Sequence, residues 1–225
     1  MKFIPLHVYS EYSFLKSGLT LDKYFSFAKK NNLQHMGISD FEVMFGFPIF
    51  YEKCQELNIK PILGMDIKLG RFLLTLFIKD EVGYLNAIKI SNTIQDNTFT
   101  YDQLVKNQEG LIFVLSVNIN NYKDSLKSIQ KLKEDLNDFY VGLETYNLID
   151  SNEVYSFINE TYSKIIIYPF VRYLKEDDAI VLDIVDAIKN SATLDHETKD
   201  GNNYLYTQKE IEEFYKDLPL ADIDE

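Results

Sequence analysis

The sequence is poor in cysteine and contains no long apolar run. Its single cysteine cannot form a disulfide within the chain, and disulfides are a feature of secreted proteins rather than of cytosolic ones. No apolar segment approaches the roughly 20 residues that a membrane-spanning helix needs, and the first residues lead into a strand-like pattern instead of a signal peptide. We therefore expect a soluble protein that works in the cytoplasm.

Basic residues are also scarce. The chain has 23 Lys and Arg against 35 Asp and Glu, which gives a formal net charge of −12 and an isoelectric point near 4.7. Affinity for a nucleic-acid backbone comes from clustered Lys and Arg, so this composition argues against a domain that grips DNA by itself. The only dense basic pairs, Lys29–Lys30 and Lys131 with Lys133, are typical of solvated helix faces.

Histidine is the third scarce residue type, since the chain contains only His7, His35 and His196. A hydrolase that uses metal ions needs several His, Asp and Glu side chains that converge on one pocket. There the ions generate hydroxide and neutralise phosphate charge. Three histidines leave little from which to build such a centre.

Signatures of other chemistries are missing as well. Cys54 lies on the apolar face of a predicted helix with no histidine near it in sequence, which is typical of a buried structural thiol rather than of a nucleophile. The chain has no glycine-rich phosphate loop of either common type and no serine in a nucleophile elbow. Aromatic residues at the predicted strand ends could form a base-stacking platform, but the negative charge favours an apolar plug instead.

What the chain does have is enough apolar material for one large α/β domain. It is 225 residues long, 46% hydrophobic and 14% aromatic, which suffices for a sizeable core. Strand-like and helix-like patterns alternate without a repeat or a break in composition. We therefore expect a single domain over residues 1–225 with a mainly parallel sheet, which periodicity alone leaves either closed into a barrel or open and doubly wound.

The best-defined stretch runs from Met36 to Met65. It predicts a strand, a loop that opens at Asp40, a helix with one apolar face, and a second strand entered through Pro61. Ligands of such βαβ units bind just beyond the carboxyl ends of the strands, which is where Asp40 falls. The apolar face of the helix is predicted from the spacing of Phe47, Phe50, Tyr51, Cys54 and Leu57.

Three further segments carry structural predictions. Residues 3–8 form an apolar pattern typical of a strand, which would carry His7 near its end. Gly70–Arg71 separates two β-rich runs and predicts a hairpin, which we expect to be an antiparallel insertion or an edge of the sheet. Asp177–Lys189 predicts a helix whose inward face consists of Ile180, Ile184, Val185 and Ile188.

Four short motifs stand in a fixed order in the first third of the chain. They are LHVYSEYSFL at residues 6–15, SDF at 39–41, MFG at 44–46 and NIKPILGMD at 58–66. In order and spacing they resemble LHxHSxYSxL, TDH, MYG and GIKPIIGxE of the PHP (polymerase and histidinol phosphatase) domain of bacterial DNA polymerase III α subunits. The resemblance extends over nearly the whole chain. It implies a PHP-type distorted (β/α)7 barrel with its pocket at the carboxyl ends of the strands.

Active members of this family hold a three-metal centre, and the resemblance implies that this chain has lost most of its ligands. His7, Asp40 and Asp66 stand where ligands are expected and are vestigial candidates, and Glu144 resembles an acid of a later family strand. Residues of other types than the expected ligands are found at Tyr9, Phe41, Asn147, Phe170, Arg172 and Leu182. An aromatic ring cannot ligate a divalent cation and an arginine repels one. We therefore expect a degenerate pocket with no catalytic residue and no metal cofactor.

The first functional hypothesis from this resemblance is an inactive PHP domain excised from a longer DNA-directed DNA polymerase. Such a domain would serve DNA replication as a structural and docking module. Its implied partners are the polymerase thumb and palm in the same polypeptide and, by analogy, a separate proofreading exonuclease or another replisome subunit. DNA would be contacted only through the full-length polymerase.

The second hypothesis is a weak metal-dependent 3′–5′ exonuclease or phosphoesterase, in which His7, Asp40 and Asp66 retain Zn or Mn. A third reading is a free-standing relative of histidinol phosphatase. It is disfavoured because the KPILG segment at residues 60–64 and the dipeptide Tyr173–Leu174 resemble the polymerase branch of the family.

Overall fold

The computed structural model describes residues 3–161, 163–191, 193 and 201–218. The strands in these ranges are β1 (His35–Phe41), β2 (Lys60–Leu69), β3 (Phe72–Ile78), β4 (Leu111–Val117), β5 (Phe139–Leu143) and β6 (Lys164–Ile167). The helices are α1 (Leu21–Lys30), α2 (Phe47–Glu56), α3 (Glu81–Gln95), α4 (Tyr101–Lys106), α5 (Tyr122–Asp135), α6 (Leu148–Asn159), α7 (Ile180–Asn190) and α8 (Gln208–Tyr215), with a 3-10 turn at Glu176–Ala179 before α7. None of these helices is long and apolar enough to span a lipid bilayer.

The strands form one sheet in chain order from β1 to β6. The pairs β1–β2, β4–β5 and β5–β6 are parallel, whereas β3 runs antiparallel to both of its neighbours. The turn between β2 and β3 contains Gly70 at φ +62°, a left-handed conformation that glycine adopts without strain. The hairpin predicted at Gly70–Arg71 is confirmed, and β3 is an insertion within the sheet rather than its edge.

Residues 5–9, which we call the closing segment, pair with the free edge of β1. The amide of Gly37 donates to the carbonyl of Pro5 (3.0 Å), and the amide of Ser39 donates to the carbonyl of Val8 (2.8 Å). The approach is close, because a Cβ atom on Gly37 would lie 2.7 Å from the carbonyl oxygen of Pro5. Glycine is therefore needed at this point of β1.

The closing segment also reaches the chain beyond β6 and so gives the sheet a barrel-like α/β shape. The amide of Tyr9 donates to the carbonyl of Val171 (3.0 Å), and the amide of Val171 donates to the carbonyl of His7 (2.8 Å). The strand predicted over residues 3–8 is only partly formed, as an isolated bridge, because Pro5 cannot donate to a ladder. The barrel implied by the family resemblance is confirmed.

Two large apolar clusters fill the space between the sheet and the helices. The first lies among β2 to β5 and helices α3, α4, α5, α6 and α8. The second packs α1 and α2 on β1. β4 is buried at every residue from Phe113 to Val117, as expected for a strand covered on both faces.

The apolar face predicted for α2 is confirmed in part. Phe47, Phe50 and Cys54 are buried, whereas Tyr51 is 50% exposed because it lies at the border of the buried face. Burial raises the pKa of the Cys54 thiol to about 12, which fits the structural role predicted for this residue.

The inward face predicted for α7 is wrong. Three of its four apolar side chains form an exposed stripe along the helix: Ile180 (54% exposed), Ile184 (38%) and Ile188 (62%). The inward side carries Leu182, which packs in a small cluster with Tyr173. Val181 lies against the loop at Gly18, and Val185 is half-buried. Helical spacing is satisfied by two neighbouring sets of apolar residues on α7, so periodicity could not choose between them.

Gly37→Ala should destabilise the fold by roughly 2–3 kcal/mol, because the added methyl group pushes the closing segment off β1. Gly70→Ala is the matched control. Its Cβ meets no atom within 4 Å, so only the left-handed φ is strained, at a cost of about 1 kcal/mol. Urea unfolding followed by far-ultraviolet circular dichroism measures both, and equal losses in the two variants would contradict the close approach of the backbones.

Candidate functional site

His7 lies in the barrel interior between two aromatic rings. Its imidazole is fully buried and stacks on Phe170 and Tyr168, with centroid distances of 4.1 and 4.5 Å and interplanar angles of 16° and 14°. The ring of Tyr9 meets the ring of Phe170 edge-on at 4.6 Å. Aromatic carbon atoms therefore cover both faces of the imidazole.

Asp66, on β2, accepts hydrogen bonds from several protein side chains. Its Oδ2 accepts from the hydroxyl of Tyr9 (2.8 Å) and lies 2.7 Å from Nε2 of His7. Its Oδ1 accepts from the hydroxyl of Thr75, which in turn accepts from the hydroxyl of Tyr168. The carboxylate of Asp66 is fully buried, so these donors replace the water that it has lost.

The polar groups around Asp66 have defined donor roles. Burial raises the pKa of Tyr9 and Tyr168 well above the ordinary value, and the charge on Asp66 raises both further. Both phenols therefore remain protonated at neutral pH and act as permanent donors. Nδ1 of His7 is buried without a partner among the described residues. A proton there would have no acceptor, so the geometry assigns the ring proton to Nε2, which donates to Asp66.

Asp40, in β1, is held by two serines. Its Oδ1 accepts from the amide of Ser10 (2.7 Å) and the hydroxyl of Ser13 (2.6 Å), and its Oδ2 accepts from the hydroxyl of Ser10 (2.7 Å). Burial raises the pKa of Asp40 above its ordinary value, and these hydrogen bonds offset only part of that effect. Asp40 therefore anchors the loop that follows the closing segment onto β1.

Glu144, just after β5, is the centre of a third polar cluster. The hydroxyl of Ser116 donates to its Oε2, and the hydroxyl of Tyr146 donates to its Oε1 (2.9 Å). Nδ2 of Asn118 also lies 3.4 Å from Oε2. The acid that the motif comparison singled out is thus buried and occupied by protein donors.

The rings of His7, Tyr9, Tyr168 and Phe170 form an aromatic cluster. Phe41 and Arg172 lie at its outer edge, and we call this edge the pocket mouth. The ring centroid of Phe41 is 6.3 Å from the ring centroid of Tyr9. The guanidinium carbon of Arg172 is 5.8 Å from the ring centroid of Phe170. Nε of Arg172 donates to the carbonyl of Lys16 (2.7 Å), whose ammonium lies 3.9 Å from the centroid of Phe41. Four of the six substituted positions predicted from the motifs therefore come together.

The other two substituted positions lie elsewhere. Asn147 is exposed and caps the N-terminus of α6, where its Oδ1 accepts from the amide of Asp150 (2.8 Å). Leu182 packs in the apolar cluster of α7 with Tyr173 and Ala179. Motif order placed Asn147 after a strand and Leu182 in a later helix, but it carries no information on which way a loop or helix side chain points.

The pocket does not fit the multi-metal centre that the family resemblance implies. The described residues contain no group of three or more His, Cys, Asp or Glu placed to hold an ion. His35 is the first residue of β1, away from the pocket, and His196 lies outside the described residues. Each oxygen of Asp40 and of Asp66 accepts from a protein donor, and aromatic rings flank the imidazole of His7.

Sequence reasoning missed four polar residues of this site: Ser10, Ser13, Thr75 and Tyr168. A signal existed for Thr75, since a polar residue in the middle of the buried strand β3 requires an internal partner. The same argument applies to Tyr168, because this residue carries a hydroxyl within an apolar stretch of the sequence. Ser10 and Ser13 belong to the first motif, but their partner Asp40 is distant in sequence, so spacing could not pair them.

A model of the PHP domain family matches residues 5–145, which is more than half of the chain. The chain belongs to the PHP domain family.

Among curated proteins the chain is similar to DNA polymerase III α subunits, which confirms the resemblance seen in the motifs. The subunit from Borreliella burgdorferi is 29% identical, over 98% of this chain and 23% of its own length. The subunit from Staphylococcus aureus strain Mu50 is 26% identical, over 92% of this chain and 19% of its own length. This chain thus spans about a fifth of the length of these relatives.

Two solved structures share the fold at low sequence identity. An amidohydrolase from Chromobacterium violaceum, with bound sulfate and no metal, has a TM-score of 0.52 at 9% identity and covers 75% of this chain and 87% of its own. A putative metal-dependent phosphoesterase from Bifidobacterium adolescentis has a TM-score of 0.51 at 11% identity and covers 96% of both chains. These similarities concern the fold alone.

Asp40→Ala should destabilise the domain by about 2–3 kcal/mol at neutral pH, because it leaves the buried donors of Ser10 and Ser13 without an acceptor. Asp40→Asn should cost less, since the amide oxygen still accepts. The pKa of Asp40 is raised in the folded state above the 3.8 of an unperturbed aspartate. The wild type should therefore gain stability relative to Asp40→Asn as the pH falls through the folded-state pKa, and should gain no more below 3.8.

Urea unfolding of the wild type and Asp40→Asn between about pH 7 and pH 3.5 measures this difference. Parallel stability curves over the whole range would show that the folded-state pKa of Asp40 is not raised.

Proposed function

We propose that this chain is a catalytically inactive PHP domain of a DNA polymerase III α subunit and supports the polymerase as a structural and docking module. The longer polypeptide is then a DNA-directed DNA polymerase that acts in the cytoplasm during DNA replication. Similarity to α subunits over nearly the whole chain supports this assignment. The net charge of −12 supports a domain that reaches DNA only through the rest of the polymerase.

The observation that carries the inactivity is the environment of Asp66. A carboxylate that binds a metal ion must turn a lone pair toward it, and open positions must remain for substrate or water. Here Asp66 accepts from Tyr9 and Thr75 and contacts His7, while Phe170 stacks on the imidazole. Binding an ion would break these buried hydrogen bonds and displace a packed ring. We therefore propose that the folded domain has no Zn or Mn cofactor.

The docking role is supported by the exposed stripe on α7. Ile180, Ile184 and Ile188 lie on successive turns of one helix face, where they present apolar surface to solvent. Contiguous apolar surface of this kind marks interaction sites more often than isolated exposed residues do. We propose that the stripe packs on the thumb or palm of the polymerase in the same polypeptide. A proofreading exonuclease in trans is a further partner by family analogy alone.

Metal content and hydrolysis test the inactivity. After dialysis against Zn and then Mn, the purified chain should contain no stoichiometric metal by plasma mass spectrometry. It should hydrolyse neither a 3′-recessed DNA end nor a chromogenic phosphate ester above the buffer rate. The variants His7→Ala and His35→Ala serve as a matched pair. Stoichiometric metal with hydrolysis that is lost in His7→Ala but kept in His35→Ala would establish the exonuclease or phosphoesterase hypothesis instead.

A comparison of two polypeptides tests the docking role. Ile184→Lys should leave the unfolding temperature of the 225-residue chain unchanged, because the side chain is exposed there. In the longer polymerase polypeptide it should lower domain stability by about 2 kcal/mol, the value of one buried isoleucine. Lys127→Glu, on the exposed side of α5, is the control and should be neutral in both. Equal effects of Ile184→Lys in the two polypeptides would rule out docking through this stripe.

A further inference from the structure

Two cations lie against the aromatic rings of the pocket mouth. The ammonium of Lys16 is 3.9 Å from the centroid of Phe41, and the guanidinium carbon of Arg172 is 5.8 Å from the centroid of Phe170. The hydrogen bond from Nε of Arg172 to the carbonyl of Lys16 fixes the two residues relative to each other. That bond uses one of the five N–H donors of the guanidinium.

Neither cation has a carboxylate partner within the part of the chain that the structure describes. The ion pairs found there within 4.0 Å involve other residues. The charges of Glu42 on Lys16 and of Asp186 on Arg172 act from beyond that distance. Both cations are only partly exposed, and partly buried charge without a partner is costly. This arrangement is unexpected in a chain with 35 acidic and 23 basic residues.

Further positive charge lies near Lys16. Burial lowers the pKa of Lys16, and the charges of Lys189, Arg172 and Lys68 lower it further. Each of these shifts means that the positive form of Lys16 is disfavoured where it stands. An anion bound beside Lys16 would offset this penalty.

We propose that Lys16 and Arg172 bind a phosphate group at the pocket mouth, as inorganic phosphate or as a terminal phosphomonoester. A guanidinium binds two phosphate oxygens side by side, and a lysine adds a point charge at a third. A phosphomonoester carries nearly two negative charges at neutral pH, which matches two cations. A carboxylate offers one charge and two oxygens, so it satisfies only one of the pair.

This site accepts an anion where the family resemblance implies cations. Lys16 and Arg172 are partly buried beside Phe41 and Phe170, and partial burial strengthens the attraction of a cation for a bound anion. The proposal does not depend on the docking role, since it concerns only residues at the pocket mouth.

Isothermal titration calorimetry on the 225-residue chain tests the site. The probes are inorganic phosphate, a nucleoside 5′-monophosphate, succinate and an unphosphorylated oligothymidylate, all at one ionic strength set with chloride. At least one of the two phosphate probes should bind saturably. Lys16→Gln and Arg172→Gln should each weaken that binding roughly tenfold or more, the effect of losing a charged hydrogen bond. Lys127→Gln, an exposed lysine on α5, should bind as the wild type does.

A thermal measurement covers the case in which Arg172→Gln does not fold. Lys16→Met removes one unpaired cation without touching the backbone bond from Arg172. Without phosphate, this variant should unfold at the wild-type temperature or above it. Phosphate should raise the unfolding temperature of the wild type, and at the same phosphate concentration it should raise that of Lys16→Met clearly less.

The outcomes separate the sources of the phosphate group. Binding of the nucleoside monophosphate but not of inorganic phosphate supports the site and assigns it to nucleotide ends, while the reverse assigns it to free phosphate. The proposal is overturned if Lys16→Gln binds as Lys127→Gln does, if succinate binds as tightly as phosphate, or if only the oligothymidylate binds.

Discussion

A buried carboxylate needs donors from several directions at once, and Asp66 receives them only when the barrel is closed. Tyr9 comes from the closing segment and Thr75 from the antiparallel strand β3. Tyr168, just beyond β6, donates in turn to the hydroxyl of Thr75. Unpaired, the charge would cost several kcal/mol. Asp66 therefore obtains its full set of hydrogen bonds only when these distant segments are correctly assembled. The hydrogen bonds that stabilise this barrel also occupy the oxygens that a metal ion would need.

The alternation of strands and helices was readable from apolar spacing, because buried strands and amphipathic helices leave distinct periods. The hairpin at Gly70 was readable from turn chemistry. The face of α7 was not, because adjacent apolar residues such as Val181 and Leu182 satisfy the helical period as well as Ile180 and Ile184 do. Only the position of neighbouring elements decides which of the two sets is buried.

The candidate site was likewise predictable from the sequence only in part. The motif positions Tyr9, Phe41, Phe170 and Arg172 lie close together in the structure, as expected for residues near strand ends that meet at one edge of a parallel sheet. Asn147 lies in the loop between β5 and α6, and Leu182 lies in α7. Neither side chain belongs to this cluster. Hydrogen bonds such as those from Tyr9 to Asp66 and from Ser10 to Asp40 could not be predicted from the sequence, since they join residues that are dozens of positions apart.

The closing segment has a consequence for how the domain forms during synthesis. Its bonds to Val171 connect the beginning of the chain with a point about three-quarters of the way along it. Such non-local contacts give a high contact order, and the entropy of closing the long loop must be lost before the contact stabilises anything. A nascent chain on the ribosome can build β1 and β2 early. It cannot complete the barrel until the segment beyond β6 has left the exit tunnel.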